Sequence, residues 1–333
     1  MRRRVNPIAT QYRTIEAGAG WSDRASRGRL RFEGRDAVPF LQALVSNDVA
    51  GLSAGRGIYT TYLTPQGRMI ADLRIYHRGD FLIGGVAPGL SASLATRFDQ
   101  LIFTEDVRIT DDSAMWSEVA VMGGKAAKLV GAAVSASASA LATLPPLGQI
   151  SLGSSGFVAR DDDPETPGYV IFWPAREWDG LIDRLRSAGI VQISDALADA
   201  LRIASGRPAF GIDMTEETIP LEAGLLDRAI SMTKGCYVGQ EVIVRVLHRG
   251  GGRVARRLVR LTFDPGPTLP QPGDSIRADG KDVGRLTSVA WSPYDPEAIA
   301  LGYVHRDAAE IGRRVTVRHD ASELGAAIDS FAG

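Results

Sequence analysis

Between residues 20 and 205 the hydrophobic positions switch repeatedly between a period of two and a period near that of a helix. Residues 30–32 read as a short strand, and Gly34-Arg35-Asp36 turns the chain. Asp36 then stands before a helix carrying Val38, Phe40, Leu41, Leu44 and Val45, where its carboxylate would accept free N–H groups of the first turn. Residues 55–63 and 69–76 flank Thr64-Pro65-Gln66-Gly67, a turn by composition, and predict a hairpin. Residues 80–84, 119–122, 156–160 and 168–173 predict further strands. Residues 90–98, 125–134, 177–188 and 195–205 predict helices. Strands and helices mixed in this way, with several antiparallel hairpins, argue for an α+β fold rather than a doubly wound parallel sheet.

The pattern changes after about residue 253. Residues 257–263, 274–278, 283–291, 298–305 and 313–318 all read as short strands, with Gly/Pro turns between them. That spacing predicts a small all-β barrel. The boundary is set near residue 250, where Arg249-Gly250-Gly251-Gly252-Arg253 is a natural link. The expected organisation is therefore a flexible tail over 1–19, an α+β region of two lobes over 20–250, and a β-barrel over 251–333. Residues 131–142 are rich in Ala and Ser and are expected to form a low-complexity connection.

Composition narrows the function classes. The chain has 333 residues, of which 44% are hydrophobic, enough for more than one core. Lys and Arg number 38 against 39 acidic residues, so no global field favours nucleic acid or an anionic membrane. No run approaches the roughly 18 apolar residues of a membrane span, and the basic N-terminus has no apolar segment behind it. Cys236 is the single cysteine, which rules out an intramolecular disulfide and fits a reducing, cytoplasmic setting. The four histidines show no metal-ligand spacing, and no metal site is expected.

Four segments carry candidate chemistry. The first is KGCYVGQE, residues 234–241. Its glycines permit tight turns, and Lys234 and Arg245 are cations that would favour a thiolate at Cys236. The competing reading is a buried cysteine acting as a small hydrophobe. The second is IPLEAGL, residues 219–225, where Glu222 follows a rigid proline. Its two oxygens can accept a parallel pair of N–H groups, such as a pterin edge presents, or it is simply an acid at a helix start. The third is Arg207 in a Gly/Pro turn, either an anion ligand or a surface arginine. The fourth is Asp72 within MIADLRIY, which faces either solvent or a cleft where it would meet a ligand nitrogen or move a proton.

Taken in order, these segments resemble the YgfZ-like, folate-binding branch of the glycine-cleavage T-protein superfamily. The resemblance runs through FLQALVSNDV, YTTYLTPQGRMIADLRIY, RIASGRPAFGID, IPLEAGL and KGCYVGQEVIVRV. Residues 131–168 match none of its motifs. The resemblance implies a three-lobed cloverleaf around a central hole that holds tetrahydrofolate or a one-carbon derivative. Glu222 would grip the pterin, Asp72 would sit near the reactive nitrogens, and Arg207, Arg245 and Tyr237 would complete the cofactor-binding set. It further implies an accessory factor for assembly or repair of iron–sulfur clusters in client enzymes, tRNA-modifying ones included, with Cys236 as the key thiol and no direct contact with nucleic acid. One thiolate cannot hold a cluster alone, so Cys236 would act transiently. The alternative is an aminomethyltransferase or demethylase that moves a one-carbon unit to tetrahydrofolate, a reading that Asp72 keeps open.

Overall fold

The computed structural model describes residues 6–161, 168–248 and 251–333. The chain opens with α1 (Pro7–Glu16), β1 (Gly20–Asp23), β2 (Gly28–Glu33), α2 (Ala37–Leu44), β3 (Gly57–Leu63), β4 (Met69–His77), β5 (Phe81–Val86), α3 (Ser91–Asp99) and β6 (Arg108–Asp111). It continues through β7 (Trp116–Met122), α4 (Ala126–Val134), α5 (Ala138–Thr143), β8 (Gln149–Ser151), β9 (Phe157–Arg160), β10 (Gly168–Pro174), α6 (Trp178–Ser187), β11 (Val191–Gln192), α7 (Asp195–Ala204), α8 (Leu226–Ala229) and α9 (Gln240–His248). The last part holds β12 (Arg256–Phe263), β13 (Ser275–Ala278), β14 (Lys281–Trp291), β15 (Ala298–His305), β16 (Arg314–His319) and β17 (Ser322–Phe331).

Among the described residues these form two sheets and a closed barrel. One sheet runs β3-β4-β5-β2-β6 and the other β11-β1-β7-β10-β9-β8, while β12-β15-β14-β13-β16-β17 close on themselves. The expected α+β architecture with a C-terminal barrel is what forms. Closure leaves the barrel without an exposed strand edge. Its sixth strand, β17, goes beyond the five expected, because Gly325, Ala326 and Ala327 interrupt the bulky alternation that marks a strand. Each sheet has its own core, built on Phe32, Leu41, Leu73 and Phe98 in one case and on Val119, Val130, Ile171 and Leu181 in the other. A third cluster joins the sheets through Tyr76, Phe157 and Phe172, whose last two rings stack at 4.3 Å.

Three local expectations are corrected. The segment read as a flexible tail contains α1, whose Ile15 is fully buried; its first five residues lie outside the described set. Asn6 caps the helix by accepting from Ile8 and Ala9 N–H, and its Nδ2 donates to Ser292 O at 2.9 Å. Ile8, Tyr12 and Ile15, at helical spacing, pack together on the α7 side, and that periodicity was the overlooked signal. Residues 131–142 are no loose connection either but the junction of α4 and α5. A Cβ on Gly131 would lie 2.8 Å from Ala136 O, so small side chains let the two helices meet. Finally, Asp36 precedes α2 but does not cap it. Its Oδ2 accepts from Asp106 N–H at 2.8 Å and ties α2 to the loop before β6.

Candidate functional site

β3 and β4 pair in antiparallel register, Thr61 opposite Asp72 and Tyr59 opposite Arg74. Asp72 and Arg74 are two residues apart on β4 and therefore share a face. That face opens on a cavity of about 360 Å³, within the range of about 300–1,000 Å³ usual for small-molecule sites. The cavity lies where β4, the end of β1, β7, α7 and the loop 207–212 meet.

Asp72 is only 6% exposed. Its Oδ2 accepts from the Tyr59 hydroxyl at 2.8 Å, while Oδ1 is buried and has no hydrogen-bond partner among the described residues. A buried acceptor left open in this way costs free energy unless a ligand or water meets it. Arg74, Arg207, Arg24 and Arg27 bring positive charge to the same cavity, and Phe210 and Pro208 bring apolar surface. Arg24 is countered by Asp161 at 3.4 Å and Arg27 by Glu118 at 3.7 Å.

The turn that carries Arg207 is held from below. Arg202 of α7 donates to Asp213 at 2.6 Å and to the Arg207 carbonyl at 2.7 Å. Asp213 is almost fully buried and also accepts from Ala209 N–H and from Thr287 and Ser288 of β14. The barrel thus anchors the loop that closes one side of the cavity. Arg202, Arg74 and Tyr59 were not singled out from the sequence. The period-two rule would have placed Arg74 beside Asp72, whereas nothing local marks Arg202 or Tyr59.

The remaining sequence candidates lie outside the cavity lining among the described residues. Glu222 is buried and its Oε2 accepts from Arg256 Nε at 3.0 Å, at the start of the barrel. Tyr237 is buried in the core between the sheets, and burial pushes its hydroxyl up to about 12. Arg245 is on the exposed face of α9, and Cys236 is exposed on the loop before it.

Residues 2–161 match the GCVT N-terminal domain, and residues 256–329 match the glycine cleavage T-protein C-terminal barrel domain. A Rubrobacter xylanophilus protein named aminomethyltransferase is 30% identical over 312 residues, covering 93% of this chain and 82% of that protein. A Nostoc protein of the same name is 28% identical over 320 residues, covering 93% of this chain and 83% of that one. The crystal structure of the glycine cleavage system aminomethyltransferase T from Bartonella henselae superposes with a TM-score of 0.87 at 20% identity, covering 97% of this chain and 88% of that one. This chain belongs to the glycine-cleavage T-protein superfamily.

Membership corrects one expectation outright. Relatives named aminomethyltransferase match nearly the whole chain, and they overturn the reading of an accessory factor for iron–sulfur clients. Lys234 does not lean on Cys236. Its Nζ donates to the carbonyls of Gln42 and Val45 at 2.5 Å and of Asn47 at 3.3 Å, satisfying the end of α2 from about two hundred residues away. Gly239 has φ of +84°, and a Cβ there would lie 2.5 Å from Thr64 O, so the segment packs backbone to backbone on the β3–β4 turn. Two of the motif's eight residues therefore serve the joint between α9 and the first sheet.

Lys234 gives a pH prediction. Burial pushes its ammonium down to about 8, against the field of Asp48, from the ordinary value of 10.5. Between those values the unfolded chain binds the proton more tightly than the folded one. This group's contribution to stability is thus complete above 10.5 and is lost as pH falls through 8. Wild type should gain stability relative to Lys234→Met as pH is raised across that window, read from denaturant midpoints. A gap that stays flat or narrows would count against the assignment. Among the described residues no helix is long and apolar enough to cross a membrane.

Proposed function

We propose that this protein is an aminomethyltransferase that moves a one-carbon unit to tetrahydrofolate, with Asp72 meeting the ligand nitrogen. One observation carries the reading. Asp72 Oδ1 is a buried acceptor without a partner at a cavity of small-molecule size. The aminomethyltransferase relatives support it.

The cavity residues fit a folate. A reduced folate presents pterin N–H groups to a carboxylate, its pterin and p-aminobenzoyl rings need apolar contact of the kind Phe210 and Pro208 offer, and its glutamate carboxylates suit guanidinium groups such as Arg207 and Arg74. When bound, tetrahydrofolate supplies the nitrogen that accepts the one-carbon unit. Asp72 Oδ1 accepts a ligand N–H and is the atom that takes up or returns its proton. Arg207 orients the anionic end of the ligand.

Glu222 lies outside the cavity lining, and its Oε2 is held by Arg256. Tyr237, Arg245 and Cys236 act away from the cavity. Within the superfamily the Cys-bearing KGCYVGQE segment supports a YgfZ-like sequence grouping, and the single thiol supports a cytoplasmic setting.

Purified protein given tetrahydrofolate and an aminomethyl donor should form methylenetetrahydrofolate and release ammonia, and titration calorimetry should register tetrahydrofolate binding. Neither heat of binding nor product would remove the reading.

A further inference from the structure

We propose that Tyr59 is a positioning residue for Asp72, and that its hydroxyl fixes the orientation of the carboxylate plane at the cavity wall. The inference rests on the transferase reading above and deepens it.

Thr61 lies opposite Asp72, and Tyr59 is two residues from Thr61, so Tyr59 and Asp72 are diagonal neighbours on one face of the hairpin. Side chains on such a diagonal start about 7–8 Å apart, a span that an aromatic side chain can bridge and a short hydroxyl cannot. The Tyr59 hydroxyl crosses it and donates to Asp72 Oδ2 at 2.8 Å. The ring is held in turn from two sides. The Arg74 guanidinium lies 5.2 Å from its centroid and the Arg228 guanidinium 4.9 Å. Arg74 is its cross-strand partner, whereas Arg228 comes from α8, just after the IPLEAGL segment.

The torsion that swings a carboxylate has a broad, shallow profile, so nothing intrinsic to aspartate fixes the orientation of its plane. Here rotation would cost the Tyr59 hydrogen bond in a buried site. Burial and the neighbouring Asp72 charge hold the Tyr59 hydroxyl protonated, so it remains a donor. Oδ1 is left without a hydrogen-bond partner among the described residues. The consequence is preorganisation. The acceptor is aimed before the ligand arrives, and its benefit appears in the chemical step more than in binding.

Tyr59→Phe tests this, because it keeps the ring and both guanidinium contacts and removes only the hydroxyl. The expected result is a fall in kcat of about tenfold, with KM for tetrahydrofolate unchanged within about twofold. The same change made in an Asp72→Asn background should cause no further loss, because Tyr59 acts through Asp72. Equal losses in both backgrounds would reveal a merely structural role and overturn the proposal. So would Tyr59→Phe turning over like an active wild type, an outcome that leaves the transferase reading intact. A wild type without turnover would overturn both.

Discussion

Asp72→Asn should lower methylenetetrahydrofolate formation by about 10²–10⁴-fold, the usual loss when a positioned proton-transfer group is removed. The replacement has the same shape, and the reason for the loss lies in polarity. Asparagine offers one acceptor oxygen and one NH₂ donor. The Tyr59 hydroxyl, which lies 2.8 Å from Asp72 Oδ2, would claim that acceptor. The NH₂ group would then stand where Oδ1 is now an unpartnered acceptor. A ligand N–H would meet a donor, and the site for the proton would be gone. Thermal stability should change little, because the buried hydrogen bond survives. Steady-state kinetics beside a thermal melt separates these effects. Full activity in a folded Asp72→Asn protein would remove Asp72 from the mechanism.

The second large effect concerns stability. Arg29 on β2 is 1% exposed and faces Glu118 on β7, which is 4% exposed. Its Nη1 lies 3.8 Å from Glu118 Oε2, and its Nη2 donates to the carbonyls of Ala25 and Ser113 at 2.9 Å. The pair joins the two sheets, and Arg27 at 3.7 Å from Glu118 adds a weaker contact. Taking away one partner of a buried pair typically costs about 3–5 kcal/mol, because the other charge is left without compensation. Arg29→Met should therefore destabilise the protein by about that amount, a large fraction of a typical folding free energy of about 5–15 kcal/mol. Arg29→Met with Glu118→Leu should recover part of the loss, since removing both charges also removes their desolvation cost. Denaturant titration of the single and double variants measures this. A single variant within error of wild type would show that water or Arg27 carries Glu118 instead.

Part of the site was legible in the chain. The hairpin over 57–77 came from period-two alternation and one Pro/Gly turn, and with it came the placement of Asp72 on a strand. The barrel came from turn spacing. The Ala/Ser stretch misled, because low hydrophobic contrast looks like a linker when small size is what lets α4 and α5 pack. The N-terminal helix was missed because only three inward positions mark it. The thiol motif misled for a different reason. Lys234 beside Cys236 in sequence suggested a cation beside a thiol, but the ammonium is taken up by α2 carbonyls instead.

The sequence by itself determined the superfamily, the α+β regions and the barrel, because these depend on neighbours a few positions apart and on motif order. Only the tertiary structure decided which candidates meet. It brings Asp72 and Arg207, far apart in the chain, to one cavity, and it leaves Glu222 with Arg256 and Lys234 with α2. Those choices arise because every buried polar group needs a partner, and the partner is whichever one the packed sheets and barrel bring within hydrogen-bond reach.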